Sequence, residues 1–307
     1  MEQERENLKS EIIKQRPKLS QKSLTTYVSL LYNLYKKVLP NEEFDVSKFN
    51  KNHTDFLNYL SSFDSSKRKT YLVALFVLTK NDDYRVPMLD DSKKFNDEMK
   101  EQKKSEKQKN NWLTKKDIED KLEELKEKSI QLFEKDELSV REFQTIQNFI
   151  ILCFMSGKYF APRRSMDYTE LKYRNYEENN DNCLIKNRKG MKIVFNKYKT
   201  AKSYGKQTQN IPPELAIFLN EFVEMKKEKY PENDYLLCDT NGNKLTPSKF
   251  TQVMYRIFPN KKASTNILRH SYVSEKYENV MPALKELNDD AKAMGHDLEM
   301  HLEYIKK

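Results

Sequence analysis

Cysteine is nearly absent. Cys153, Cys183 and Cys238 are the only three in 307 residues, and no two of them form a CxxC pair. An odd, unclustered set argues against a disulfide framework and against a zinc site. The expected compartment is reducing and intracellular, with nucleus and cytoplasm left open. Glycine is scarce too, five in all, so there is no glycine-rich loop of the kind that cradles a nucleotide phosphate. Long apolar runs are missing: the longest, Phe149 to Met155, is far too short to span a bilayer. The opening Met1-Glu2-Gln3-Glu4-Arg5 has no apolar signal region. Internal repeats are absent. A membrane span, a disulfide scaffold and a P-loop enzyme are therefore poor descriptions of this chain.

What the chain has in quantity is charge. Charged residues make up 34%, nearly as many as the 37% apolar residues, and the net charge is +9. Lys and Arg are spread along the whole length. Such a surface is either simply solvated or built to track phosphates, and charge alone does not choose between them. The length suits two domains, each able to bury a core. Residues 1–19 are polar, with Pro17 as a stop. Leu24, Tyr27, Val28, Leu31, Leu34, Tyr35 and Val38 recur at three- and four-residue spacing and predict an amphipathic helix from Ser20 to Leu39. A short helix near Asp55 to Leu60 follows, then one capped by Asp64 and running from Ser65 to Lys80. Lys67, Arg68 and Lys69 sit on the first turn of that helix, against the helix dipole. Phosphate contact would explain them, and so would an accident of the surface.

Ser92 to Asn111 is Lys-rich with almost no apolar face, so the domain boundary is expected near its end. The domains read as 1–107, a linker at 108–111, and 112–307. Thr114 caps a charged helix to about Lys135, read as an ordinary exposed helix. Ser139-Val140-Arg141-Glu142 is a capping box, and the apolar helix behind it, through Gly157, should be the buried spine of the second domain. Ala161-Pro162-Arg163-Arg164 opens a short helix. The period then changes to two: Leu184 to Lys186, Ile193 to Phe195 and Gln207 to Ile211 read as strands of a small antiparallel sheet. Helices follow from Pro212, from Thr246, over 265–279 and over 282–294. The fold class is mainly α, an all-α first domain and an α-rich second domain with that small sheet.

The final stretch, Ser264 to Lys307, carries Asn266-Ile267-Leu268-Arg269-His270, then Met294-Gly295-His296, then Tyr304. Upstream stand Arg164-Ser165-Met166-Asp167 and Tyr198-Lys199-Thr200, the latter ahead of Asn210-Ile211-Pro212. In order, spacing and element type this set resembles the active site of the tyrosine recombinases, the phage-type integrases. Their pattern is Arg, Lys, His-x-x-Arg, His or Trp, and a C-terminal Tyr. The resemblance covers about Trp112 to Tyr304; residues 20–80 match the family's core-binding domain only by helix count and basic surface. Arg164 fits the family's Arg-x-x-Asp frame, in which a carboxylate three residues on can hold the guanidinium. Arg163 does not fit, since Met166 would stand in the acid's place. Lys197 and Lys202 rival Lys199. The family's first His is replaced by Asn266, while Gly295-His296 is kept and Tyr304 follows at eight residues.

The resemblance implies cutting and rejoining of double-stranded DNA through a 3′-phosphotyrosine intermediate, without metal or other cofactor. Arg164 and Arg269 would grip the phosphate, Lys199 would protonate the leaving 5′-oxygen, and His296 and Asn266 would donate hydrogen bonds. Tyr304 would be the nucleophile. It further implies a homo-oligomer, a tetramer on DNA, with no membrane partner. The Lys/Asn/Tyr-rich composition suggests an A·T-rich genome, and the Pro-Arg-Arg-x-x-Asp-Tyr and Met-Gly-His forms look like those of a mobile-element or large-DNA-virus member. Three other readings stay open: type IB topoisomerase-like relaxation, a DNA-binding protein that has lost catalysis, for which Asn266 is the motive, and a basic scaffold protein whose matches are chance.

Overall fold

The computed structural model describes residues 2–306. The chain is mainly α and divides into two compact units, Met1–Lys104 and Ser105–Lys307.

The first unit is all helical: α1 (Glu2–Gln15), α2 (Gln21–Val38), α3 (Lys48–Lys51), α4 (His53–Ser61), α5 (Ser65–Thr79) and α6 (Asp82–Lys100). The Ser20 hydroxyl accepts the Ser23 amide and starts α2, as Asp64 accepts the Lys67 amide and starts α5. Tyr35 is at the centre of the core, fully buried among the rings of Phe44, Phe49 and Phe56. Its hydroxyl donates to the Glu43 carbonyl at 2.6 Å, so the phenol is buried without losing its hydrogen bond. Two features differ from the sequence reading. Residues 2–15 form a helix, because Leu8 and Ile12 lie one turn apart and are fully buried. Arg68 is committed inside the unit, its Nε and Nη2 bonded to the buried Asp91 at 2.7 and 2.6 Å. Lys67 and Lys69 lie over the Phe63 and Phe95 rings, 3.8 and 3.9 Å from their centroids. Packing of α5 thus accounts for the three cations on its first turn.

In the second unit come α7 (Glu106–Asn111), α8 (Lys115–Phe133), α9 (Val140–Met155), α10 (Ser165–Thr169), β1 (Leu171–Lys172), β2 (Asn182–Asn187), β3 (Gly190–Phe195), α11 (Ala201–Tyr204) and β4 (Gln207–Ile211). They are followed by α12 (Pro213–Lys229), α13 (Pro247–Ile257), α14 (Thr265–Lys276), α15 (Met281–Ala293) and α16 (Leu298–Tyr304). Residues 108–111 lie within α7, where Ser105 and Gln108 form a capping box. Asn111 holds this helix to the unit by accepting the Lys262 amide at 2.6 Å. The capping boxes Thr114/Asp117 and Ser139/Glu142 start α8 and α9. Helix α9 is the spine, with Phe143, Ile146, Phe149, Ile150 and Phe154 fully buried, each burial contributing about 1.5–3 kcal/mol. Helix α8 is not the exposed helix its charge suggested. Ile118, Leu122 and Leu125 form a stripe at helical spacing that packs into the same core.

The sheet runs β1-β2-β3-β4. Pairs β2–β3 and β3–β4 are antiparallel, with Cys183 opposite Val194 and Met191 opposite Ile211. The two-residue β1 pairs parallel to β2, which makes the sheet mixed. No described helix is long and apolar enough to cross a membrane.

Candidate functional site

The segment between α9 and α10 carries Arg163 and Arg164. The Tyr168 hydroxyl donates to the Phe154 carbonyl at 3.0 Å and accepts the Arg163 amide at 3.1 Å. This ties the start of α10 to the end of the spine helix. Arg164 is the N-cap residue of α10, with extended backbone (φ −74°, ψ 151°). It stands outside the helix, so the i to i+3 geometry expected for Arg164 and Asp167 does not form. Arg163 makes the pair instead. Its Nε donates to Asp167 Oδ2 at 2.9 Å and its Nη1 to Gln207 Oε1, on β4, at 2.6 Å. The guanidinium carbon lies 4.1 Å from the Phe195 ring centroid and 4.8 Å from that of Tyr198.

Phe160, Arg163, Arg164, Asp167, Gln207 and Arg269 are among the residues lining one open cleft. Arg164 and Arg269 share it, and neither makes a side-chain hydrogen bond to a described residue. Burial makes the Arg269 guanidinium easier to deprotonate than usual, and the nearby Arg164 charge adds to this; Asp167 opposes both. Asp167 is buried, and its Oδ1 has no partner among the described residues. Burial pushes its carboxyl up, while Arg163 and then Arg164 and Arg269 pull it down. Two guanidiniums in one cleft, both partly buried and opposed by one carboxylate, suit an anionic ligand.

Lys199 is exposed in the turn between β3 and α11. It is not among the residues lining the cleft, but its neighbours Tyr198 and Thr200 are. Lys197 is bound to Asp181 Oδ1 at 2.8 Å, and Lys202 is exposed on α11. Asn266 is exposed on the first turn of α14, one turn ahead of Arg269.

The remaining candidate residues, His296 and Tyr304, lie at the end of the chain, around α15 and α16. Gly295 takes the left-handed backbone that ends α15 (φ +79°), and His296 follows it. Asp297 caps α16 by accepting the Met300 amide. The rings of His296 and Tyr304 stack at 5.4 Å and 23°, and Tyr304 is 63% exposed. His301, which the sequence reading passed over, joins them: its Nδ1 is 3.1 Å from His296 Nε2, and the two imidazoles stack at 5.3 Å. Its spacing, three residues before Tyr304 on a helix, was the available clue. The structure therefore brings Arg164 together with Arg269 and His296 together with Tyr304. No residue lining the cleft comes from α15 or α16.

No family model matches the chain. No curated protein matches it either. Among solved structures it is similar to a XerA recombinase, at 12% identity over 89% of this chain and 85% of that one, with a TM-score of 0.36. It is also similar to the XerH site-specific recombinase bound to its difH substrate in a pre-cleavage complex, at 18% identity over 91% of this chain and 75% of that one, with a TM-score of 0.47.

Proposed function

We propose that this protein cuts and rejoins duplex DNA by a tyrosine-based strand transfer, as a site-specific recombinase or integrase. The observation that carries the reading is the cleft lined by Arg164 and Arg269, whose side chains make no hydrogen bond to a described residue. A phosphodiester under attack gains charge on its non-bridging oxygens, and two guanidinium forks suit that charge. The Tyr304 hydroxyl, open to solvent, would release its proton to water as its oxygen attacks phosphorus, forming the O–P bond as the bond to the 5′-oxygen breaks. Lys199 would give the 5′-oxygen its proton, a contribution of roughly 10²–10⁴-fold for a positioned general acid. His296 and Asn266 would donate hydrogen bonds to phosphate oxygens. Asn266 cannot serve as a base near neutral pH. The energy of the broken bond is kept in the phosphotyrosine ester, so rejoining needs no cofactor. The working form would be an oligomer, a tetramer on paired DNA sites.

Trapping of the covalent adduct on nicked duplex DNA, followed by peptide mapping, tests the reading. Phosphate on Tyr304 is the expected result, and Tyr304→Phe should retain DNA affinity and lose the adduct. Phosphate on another residue, or an undiminished adduct from Tyr304→Phe, would overturn the assignment. A second reading, a DNA-binding protein without catalysis, is favoured by one observation: α16 lends no residue to the cleft. Supercoiled plasmid separates the outcomes, since recombinant products, relaxed circles and bound but uncut DNA correspond to recombinase, topoisomerase and inactive binder.

A further inference from the structure

Three guanidiniums and one carboxylate meet in the cleft, and their tasks differ. Arg163 uses its donors within the protein, on Asp167 and Gln207, with its guanidinium carbon over the Phe195 and Tyr198 rings. Arg164 and Arg269 have no such commitments among the described residues. We propose that Arg163 is a positioning residue: by occupying Asp167 and Gln207, it leaves Arg164 and Arg269 as the pair that receives a phosphate group. This rests on the reading of the cleft as a phosphodiester site.

Without Arg163, Asp167 would lose the donor on its Oδ2. Its side chain is nearly closed to solvent, and Oδ1 already lacks a partner among the described residues. A buried carboxylate stripped of its remaining donor must find another or take a proton. The charged groups that face it are few. From its own segment come Arg163 and Arg164, and from α14 comes Arg269. Strand β2 offers the Asn182 amide, which is bonded to the Asp167 backbone carbonyl. Strand β4 offers Gln207, held by Arg163. Helix α13 packs here through the Phe250 ring, which stacks on Tyr168 at 6.3 Å. Arg164 is the nearest uncommitted cation along the chain. Without Arg163, an ionised Asp167 would draw Arg164 inward and away from the phosphate.

This gives a sign that a merely structural role does not share. Arg163→Met should slow adduct formation about tenfold or more, and Asp167→Asn added to it should restore most of the rate, because a neutral amide no longer captures Arg164. Arg163→Lys keeps a cation on Asp167 and should stay within about threefold of the wild type. The slowing in Arg163→Met should also shrink as pH falls and Asp167 takes up its proton. Binding of inorganic phosphate, followed by 31P line broadening on the full chain, should show the same order: wild type, then the double variant, then Arg163→Met weakest. The phosphate experiment keeps the two readings separable. A wild type that forms no adduct with plasmid or nicked duplex removes the strand-transfer reading, while the phosphate order still decides the role of Arg163. The proposal is overturned if Arg163→Met binds phosphate as well as the wild type, or if adding Asp167→Asn fails to improve it.

Discussion

At the scale of single residues, the two kinds of arginine should separate in experiment. Arg164→Ala and Arg269→Ala each remove a cleft guanidinium that makes no hydrogen bond to a described residue. Each should abolish strand cleavage, and each should leave duplex affinity mostly intact, because many other phosphate contacts would remain. Gel-shift titration beside single-turnover cleavage would check this, and parallel losses in both would mean that these residues are ordinary binding contacts. A different test belongs to Lys226. Its side chain is fully buried, and Nζ has no hydrogen-bond partner among the described residues. It lies 5.2 and 5.9 Å from the Tyr230 and Tyr173 ring centroids. Burial lowers the pKa of its ammonium group, against an opposing pull from Cys238. With the folded value below the unfolded one, the folded state binds fewer protons, so this group's contribution to stability falls as pH drops from above the ordinary lysine range through the folded value. Lys226→Met should therefore stabilise the protein near neutral pH, by about 1–3 kcal/mol for an unpaired buried polar group. The gain should shrink toward pH 10, as read from urea midpoints at several pH values. A gain that does not change with pH would mean that Lys226 stays charged throughout.

At the scale of elements, Gly157 links the spine helix to the helix that carries Arg269. It ends α9 with φ +78°, and a Cβ placed there would lie 2.3 Å from Cδ2 of Tyr272. Tyr272 is on α14, one turn beyond Arg269. Gly157→Ala should cost about 1–3 kcal/mol in backbone strain and displaced packing, and it should also slow cleavage by shifting α14. Gly205→Ala is the control: its φ is +65° but a Cβ would meet nothing, so only strain applies. Equal losses of cleavage in both variants would remove the link to α14. The elements also show what could be read from the sequence. Ser139 with Glu142, and Asp64 with the amide of Lys67, are contacts three residues apart, so the helix starts were legible from local pattern. Helix α1 was not, because Leu8 and Ile12 are isolated apolar residues in a polar stretch and gain meaning only from the core that receives them. The Arg163 pairing was hidden for the same reason. Gln207, Phe195 and Tyr198 decide it, and they come from two strands and a turn more than 30 residues further on. The stretched backbone at Arg164 cannot be inferred from a helical spacing rule. Local spacing offered His296, His301 and Tyr304 as near neighbours, although His301 went unread.

At the scale of the whole molecule, the question is what the excess of +9 charges is for. Many of the lysines sit in exposed pairs three or four residues apart on one helix, such as Lys14 with Glu11, Lys109 with Glu106 and Lys227 with Glu224. Exposed pairs of this kind contribute only about 0.3–0.5 kcal/mol each. They do not hold the fold, and a polyanion can compete for those lysines at little cost in stability. Arg68 and Arg163 are of the opposite kind, committed to buried carboxylates. Binding to duplex DNA should therefore be dominated by counterion release, with log affinity falling against log salt at about −0.9 per phosphate neutralised. Both units carry such lysines. Residues 1–104 and 105–307 made separately should each bind duplex more weakly than the whole, because the covalent link keeps the second set of contacts at an effective concentration in the millimolar range. Each piece should also show a shallower salt slope, in proportion to the phosphates it covers. Fluorescence anisotropy with a labelled duplex from 50 to 300 mM salt, for the whole chain and both pieces, measures all of this at once. If one piece matches the whole in both affinity and slope, the other unit takes no part in binding DNA, and the charge it carries serves solubility alone.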